Sequence, residues 1–497
     1  MNFPEPYLYD RLKALAESDY YPYHMPGHKR NMKGRRMDAL YEIDITEIDE
    51  FDNLHAPEGI LKDAMRRAAD FNGSEHTYFL VNGSSCGILS ALMACAAGGG
   101  RVLMGRNAHK SAYHALYLGA MQPVYVMPEI VREYGFPGGI RPDRVRLLLE
   151  REENIDAVFI TSPTYDGILS DIKEIVRIAH EKKIPVIVDE AHGAHFPLFS
   201  EYETAVSCGA DLVIQSIHKT LPAPTQTALL HVNGTLVDRE KVERYLQIFQ
   251  TSSPSYVLMS GMDECFRLLK GEGAVLTERF RERRRMFDHG MQGLSCLRVY
   301  GGKEDRSLWA SYGIKNVDMG KLVISAKNML ITGKELYERL RMKYHLQMEM
   351  STQAYVLAML TILDSREGWK RLAEAVIQID RELLEVSGEG CSINEGQMEQ
   401  RRRLGELSCY GEKNPVRMPV FAAQNAEKEW IPIAEAEGRI AAGMVNLYPP
   451  GVPILVPGEE IIDALIEFAG GCLQAGLNLQ GICNKEEVLI PVVREFQ

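Results

Sequence analysis

The sequence predicts an α/β protein built on a mainly parallel sheet, and three observations carry that expectation. Short, dense apolar runs such as Pro185–Val188 and Leu212–Ile214 have the texture of strands buried on both faces. They alternate with longer stretches of helical periodicity, the pattern of a parallel sheet covered by helices. Each run ends in residues too polar for a core, and the carboxyl ends of parallel strands form one ligand-binding edge.

Composition sets the outer bounds. The chain has 497 residues, enough for two or three domains, and its 45% apolar and 25% charged residues are ordinary for a globular enzyme. A net charge of -12 argues against nucleic acid or a membrane surface as the main partner. The nine cysteines are scattered, without C-x-x-C pairs, so a reducing cytoplasm is expected and no metal is. No signal pattern opens the chain, and no apolar run is long enough to span a bilayer.

Residues 1–55 show little periodicity and read as an N-terminal arm. Within it, His24-Met25-Pro26-Gly27-His28-Lys29-Arg30 concentrates cationic groups in a turn. Asp44–Asp49 alternates apolar residues with acids, as an edge strand or an acidic loop would. The large domain is expected over 56–280. It opens with a helix over Gly59–Asn72, stopped by Gly73. Thr77–Val81 reads as a strand, Asn82-Gly83-Ser84-Ser85-Cys86-Gly87 as a turn, and Ile88–Ala97 as a helix of small residues. The alternation continues with a strand at Arg101–Gly105 ending in Arg106-Asn107-Ala108-His109-Lys110-Ser111, a helix around Ala112–Ala120 and a strand at Val124–Met127. Further on come a helix at Pro142–Arg151, a strand at Asp156–Ile160 leading to Thr161–Gly167, and a helix at Ile172–Lys182. Beyond about Arg281 the texture changes: a smaller α/β domain is expected over 281–386 and a C-terminal α/β domain over 387–497.

The polar strand ends form a constellation. A strand, a Gly/Ser turn and a helix make an anion site at Ser84 and Ser85, where helix-start N–H groups and two hydroxyls converge on a phosphate. Asp189 follows one strand and Lys219 another, within Asp189-Glu190-Ala191-His192 and Ser216-Ile217-His218-Lys219-Thr220. A phosphate cradle, a carboxylate and a lysine suit pyridoxal 5'-phosphate (PLP): the lysine amine bonds the aldehyde and the carboxylate keeps the pyridine nitrogen protonated. Asp189–His192 also spells a helicase box. That reading needs an upstream G-x-x-x-x-G-K-[ST], which the chain lacks.

In their order these motifs, with Ser162-Pro163-Thr164-Tyr165-Asp166-Gly167 and Tyr448-Pro449-Pro450-Gly451, resemble the Orn/Lys/Arg decarboxylases. The chain looks like the compact bacterial members without the N-terminal wing domain. The resemblance implies a PLP-dependent aspartate-aminotransferase-like fold (fold type I) and decarboxylation of arginine, lysine or ornithine to an amine that feeds polyamine synthesis. It implies that Lys219 bonds the cofactor, Asp189 faces the ring nitrogen, His109 stacks on the ring and His192 lies beside it. Ser84, Ser85, Cys86, Ser216 and His218 would surround the phosphate. The family's active site lies at a dimer interface, so a homodimer or higher homo-oligomer is implied, with Thr251–Tyr256 serving the partner's site. Glu459, Glu460 and the acids of Asp44–Asp49 are candidate anchors for the substrate's distal cation. Ser387–Gly411 matches no motif of the family. The alternative is another PLP reaction such as transamination, for which Arg417 and Arg439 are available to hold an α-carboxylate.

Overall fold

The structure is a computed structural model that describes residues 7–18, 37–131, 134–300, 309–327, 330–388, 414–447, 451–474, 477–484 and 487–495. In chain order, helices α1 (Leu8–Glu17) and α2 (Ile60–Asn72) lead to strand β1 (His76–Leu80) and α3 (Gly83–Ala96). Next come β2 (Arg101–Gly105), α4 (Lys110–Leu118), β3 (Gln122–Val126), α5 (Pro142–Arg151), β4 (Ile155–Thr161) and α6 (Ile172–His180). They are followed by β5 (Val186–Asp189), β6 (Leu212–Gln215), the single turn α7 (Ile217–Thr220), β7 (Ala228–Val232) and the long α8 (Tyr256–Gly290). The chain divides into two compact units, Met1–Cys95 with Ala179–Thr277 and Ala96–Ile178 with Glu278–Gln497.

In the first unit the strands lie in the order β1–β7–β6–β5. β7 is antiparallel to both neighbours, and β5 and β6 are parallel. Two reversals restore direction, so β1, β5 and β6 all end on the same edge. Every residue of β5 and β6 is buried, as their unbroken apolar runs require. β7, with a histidine inside an apolar run, is a strand that the sequence reading passed over.

Part of the N-terminal arm is a helix, α1. Leu8, Leu12 and Leu15 recur at helical spacing and bury one face of α1. The Leu8 N–H donates to Asp263 Oδ2 at 2.9 Å, and the Arg67 guanidinium grips the same buried carboxylate with both arms. Asp44–Asp49 is a loop rather than a strand. α2 ends as expected on Gly73 at φ 70°, where a residue without Cβ enters the left-handed region freely.

In the second unit β4, β2 and β3 run parallel in that order. The same unit holds an antiparallel sheet of β8 (Leu297–Tyr300), β9 (Lys321–Ala326), β10 (Met350–Ser351) and β11 (Tyr355–Met359), in the order β8–β9–β11–β10. Its helices are α9 (Gly333–Tyr344), opened by a capping box between Thr332 and Glu335, and α10 (Arg366–Gly388). Nearer the C-terminus, β12 (Lys428–Pro432), β13 (Val445–Leu447), β14 (Val452–Leu455), α11 (Asp463–Gln474) and β15 (Val488–Val493) enclose a core that includes Val445, Ile454, Leu465 and Val492. β12 pairs with β15, and β13 with β14.

Asp380 ties α10 to the start of β8. Its carboxylate accepts the backbone N–H groups of Ser295, Cys296 and Leu297 at 2.9, 2.8 and 2.6 Å, and the residue is 5% exposed. Asp380→Ala leaves these buried donors without an acceptor and is expected to cost about 3 kcal/mol. Asp380→Asn, which keeps one oxygen, costs less. Urea denaturation of both variants checks this; an alanine variant as stable as the parent would refute it.

Candidate active site

The shared edge of β1, β5 and β6 collects the chemistry. β5 ends in Asp189, which lies opposite Ile214 of β6, and β6 continues through Ser216 into α7, which carries His218 and Lys219. Asp189 is 3% exposed and accepts the Ala191 N–H at 3.2 Å. Burial pushes its carboxyl above the usual carboxylate range, and the Lys219 charge pulls it back. Lys219 Nζ lies 3.2 Å from His192 Nε2. Asp189, His192 and Lys219, expected together from the sequence, are together in the first unit.

Behind them runs a buried polar brace that the sequence reading missed. The Glu190 carboxyl accepts Gln215 Nε2–H at 2.7 Å and the Ala205 N–H at 2.8 Å. Gln215 Oε1 lies 3.1 Å from His231 Nε2, and His231 Nδ1 lies 2.8 Å from Thr77 Oγ1. Burial raises Glu190 to about 7 and lowers His231 to about 3. His231 is therefore the neutral imidazole, donating from Nε2 to Gln215 and accepting at Nδ1 from Thr77. The available signal was a glutamine and a histidine closing or interrupting strands that are otherwise wholly apolar.

The Gly/Ser turn is tighter than expected. α3 begins at Gly83, with φ 75°, instead of at Ile88, so Ser84 and Ser85 occupy its first turn, where unpaired N–H groups gather. Gln250 pins the preceding strand end, accepting the Val81 N–H at 2.8 Å and donating to Phe79 O at 3.3 Å. A Cβ on Gly87 would fall 2.7 Å from Leu80 Cδ1, so a larger residue there would make the Leu80 side chain shift. The Cys86 thiol turns back to Gly83 O, and burial pushes it up to about 12. Its side chain is thus committed within the turn, which leaves the backbone as its means of meeting a phosphate.

Whether these residues fit PLP can be tested on Ser216. It is wholly buried at the N-cap of α7, yet its hydroxyl caps nothing and has no hydrogen-bond partner. A buried donor without an acceptor is costly unless a ligand completes it. A phosphate oxygen does so, and the Asp189 carboxylate suits a cationic ring nitrogen. The residues fit.

His218 donates Nδ1–H to Thr227 O at 2.8 Å, and burial lowers it from its usual value. His109 belongs to the second unit. It is the N-cap of α4, with Nδ1 accepting the Ser111 N–H at 3.2 Å. Asp166 in the same unit accepts from Tyr355 Oη at 2.5 Å, and burial lifts its carboxyl to about 6.

Two of the candidate anchors are already engaged. Glu459 is 2% exposed and paired through both oxygens with Arg106 at 3.0 and 2.9 Å. Glu460 pairs with Arg417. Arg439 is held by Glu429 and by Val493 O. Glu47, in the 44–49 loop, has a buried Oε1 with no hydrogen-bond partner. His24–Arg30, Tyr448–Pro450 and nearly all of Ser387–Gly411 lie outside the described residues.

Comparison with known proteins agrees with this geometry. Residues 6–295 match the Orn/Lys/Arg decarboxylase major domain, and residues 415–469 match the C-terminal domain of the same family. The chain is 33% identical over 501 residues to an arginine decarboxylase of Bacillus subtilis, covering 98% of both chains. It is 31% identical over 508 residues to an arginine decarboxylase of Bacillus anthracis, covering 99% of this chain and 97% of the relative. In structure it resembles the constitutive lysine decarboxylase of Escherichia coli with a TM-score of 0.83, over 99% of this chain and 82% of that one, at 20% identity. The chain belongs to the Orn/Lys/Arg decarboxylase family and has the type I fold of PLP enzymes.

Proposed function

We propose that this chain releases the α-carboxyl group of arginine as CO2, with PLP held by Lys219, Asp189, Ser84, Ser85, Ser216, His218 and His109. Decarboxylation of a basic amino acid follows from the family. The preference for arginine is supported by the arginine decarboxylases that match over nearly the whole chain. The observation that carries the site is the buried Asp189 carboxylate at the same sheet edge as Lys219.

When bound, PLP supplies an aldehyde for a lysine amine and a protonated ring that draws in the electron pair left as CO2 departs. Asp189 holds the proton at the ring nitrogen, and its burial makes that interaction stronger than it would be in water. Lys219, beside His192, would be the group to return a proton to Cα. Ser216 donates its hydroxyl to the phosphate, joined by Ser84, Ser85 and N–H groups of the α3 start. His218 has committed Nδ1–H to Thr227, so it donates to phosphate only through a protonated Nε2, a state the phosphate charge favours. His109 is the residue that the family resemblance would set against the cofactor ring. Transamination has less support, because Arg417 and Arg439 are each paired with an acid.

The site works, on this reading, in a cytoplasmic homodimer or higher homo-oligomer, and its amine product feeds polyamine synthesis. Thr251, Ser252 and Ser253 are exposed, consistent with a loop that reaches a partner's site. The described cysteines form no disulfide, and no helix among the described residues is long and apolar enough to cross a membrane.

The PLP-loaded protein is expected to release amine and CO2 from arginine faster than from lysine or ornithine, and Lys219→Ala to abolish release. CO2 from none of the three would sink the reading. Asp189→Ala is expected to lower kcat about a hundredfold or more while KM changes little. Comparable losses in KM alone would make Asp189 a binding residue instead.

Ser216→Ala separates a cofactor ligand from a structural hydroxyl. The unliganded variant should melt at the parent temperature or above, since a buried orphan is removed, while PLP binds about tenfold more weakly. A lower melting temperature with unchanged PLP affinity would refute the assignment.

A further inference from the structure

A buried ion pair in the second unit is placed to govern the loop that bears His109. Arg106 follows β2 directly and is 5% exposed. Its guanidinium grips Glu459 with Nε and Nη2 and donates from Nη1 to Pro453 O at 2.6 Å and from Nη2 to Ile454 O at 3.3 Å. Glu459 is further held by Asn414 Nδ2 at 3.2 Å and by the Val456 N–H at 2.9 Å. Tyr113 Oη, from α4, donates to Arg106 O at 2.6 Å and so closes the loop onto the helix that follows it.

A second tie lies on the far side of His109. The Lys110 N–H donates to Gly451 O at 3.2 Å. The segment Asn107–His109 is therefore clamped at both ends by one stretch of chain, Gly451–Glu459, which overlaps the match to the family's C-terminal domain. Inside the clamp Asn107 Oδ1 is buried without a partner, so the loop is not held by its own polar contacts alone. The network around the ion pair is otherwise well satisfied, the condition under which a buried pair specifies one geometry.

We propose that Arg106 and Glu459 are positioning residues for the decarboxylation, fixing the loop that carries His109. The proposal rests on the reading of His109 as the ring-stacking residue. It gives the C-terminal stretch a role in positioning His109. A displacement of about an ångström of a positioning group can cost up to about a hundredfold in rate.

The test is a double-mutant cycle on the PLP-loaded protein, combining Glu459→Gln with His109→Ala and reading kcat, KM and the visible circular dichroism of bound PLP. Glu459→Gln is expected to lower kcat about tenfold or more, leave KM nearly unchanged and alter the dichroism of the bound cofactor. In the His109→Ala background the same change should have little further effect on any of these, because residues acting through one another are not additive. Because an unpaired buried arginine can prevent folding, the apolar pair Arg106→Met with Glu459→Met serves as the second variant. It keeps the volume, leaves no charge unpaired, and should show the same kcat and dichroism defects in a folded protein.

Full additivity of Glu459→Gln with His109→Ala would overturn the proposal. So would a normal dichroism and kcat with only a lower melting temperature, in either the Gln variant or the apolar pair. If His109→Ala itself leaves dichroism and kcat unchanged, the assignment of His109 fails and the proposal falls with it. If His109→Ala is damaging and the clamp variants are not, the clamp alone is refuted.

Discussion

The parallel pairing of β5 with β6 is the constraint on which the first unit depends. Asp189 stands opposite Ile214, so the continuation of β6 through Ser216 brings Lys219 to the same edge as the carboxylate. Were the strands antiparallel, the two charges would sit at opposite ends of the sheet. With them at one edge, the Lys219 charge pulls a carboxyl with almost no access to water back toward its usual range. The charge pair and the fold are one problem with one solution.

The surroundings of that pair are nearly complete, which makes the exception informative. Thr77, His231, Gln215 and Glu190 form a chain in which each donor has an acceptor, and this brace stiffens the strand ends that carry Asp189 and Ser216. Ser216 is the break in the pattern, a wholly buried hydroxyl that caps no N–H. A buried hydroxyl without a partner at the N-cap of α7 is a donor that a ligand's acceptor would satisfy, and the first turn of α3 on β1 adds more donors at that same edge.

Much of this was legible in residues alone. Apolar runs ending in Asp189 and Lys219 marked two strands and their active ends, because burial on both faces leaves no freedom for polar residues within the run. Small-residue patterning placed α3, although its start came out late: Gly83 to Gly87 look like turn residues, yet one positive φ at Gly83 suffices to begin the helix. α1 was hidden because three leucines carry its pattern among polar neighbours, and its anchor, Asp263, lies far along the chain. Glu459 stood as one of several candidate anchors for a related reason: only tertiary packing brings the buried Arg106 to it, far from it along the chain. Sequence periodicity reports which faces are buried; it carries no record of long-range charge partners.

The placing of Asp189 and Lys219 at one edge also bears on how a cofactor would be held. The lysine charge pulls the buried carboxyl back toward its usual range. On the proposed function, a lysine amine taken up by the cofactor would no longer offer that charge, and a protonated ring nitrogen would be the cation able to take its place. Asp189 would favour a protonated ring for the same reason that it favours a charged lysine, since an uncompensated buried carboxylate is the costlier state. Burial of this carboxylate would then supply the electron-withdrawing power that decarboxylation needs, at a distance from the bond being broken.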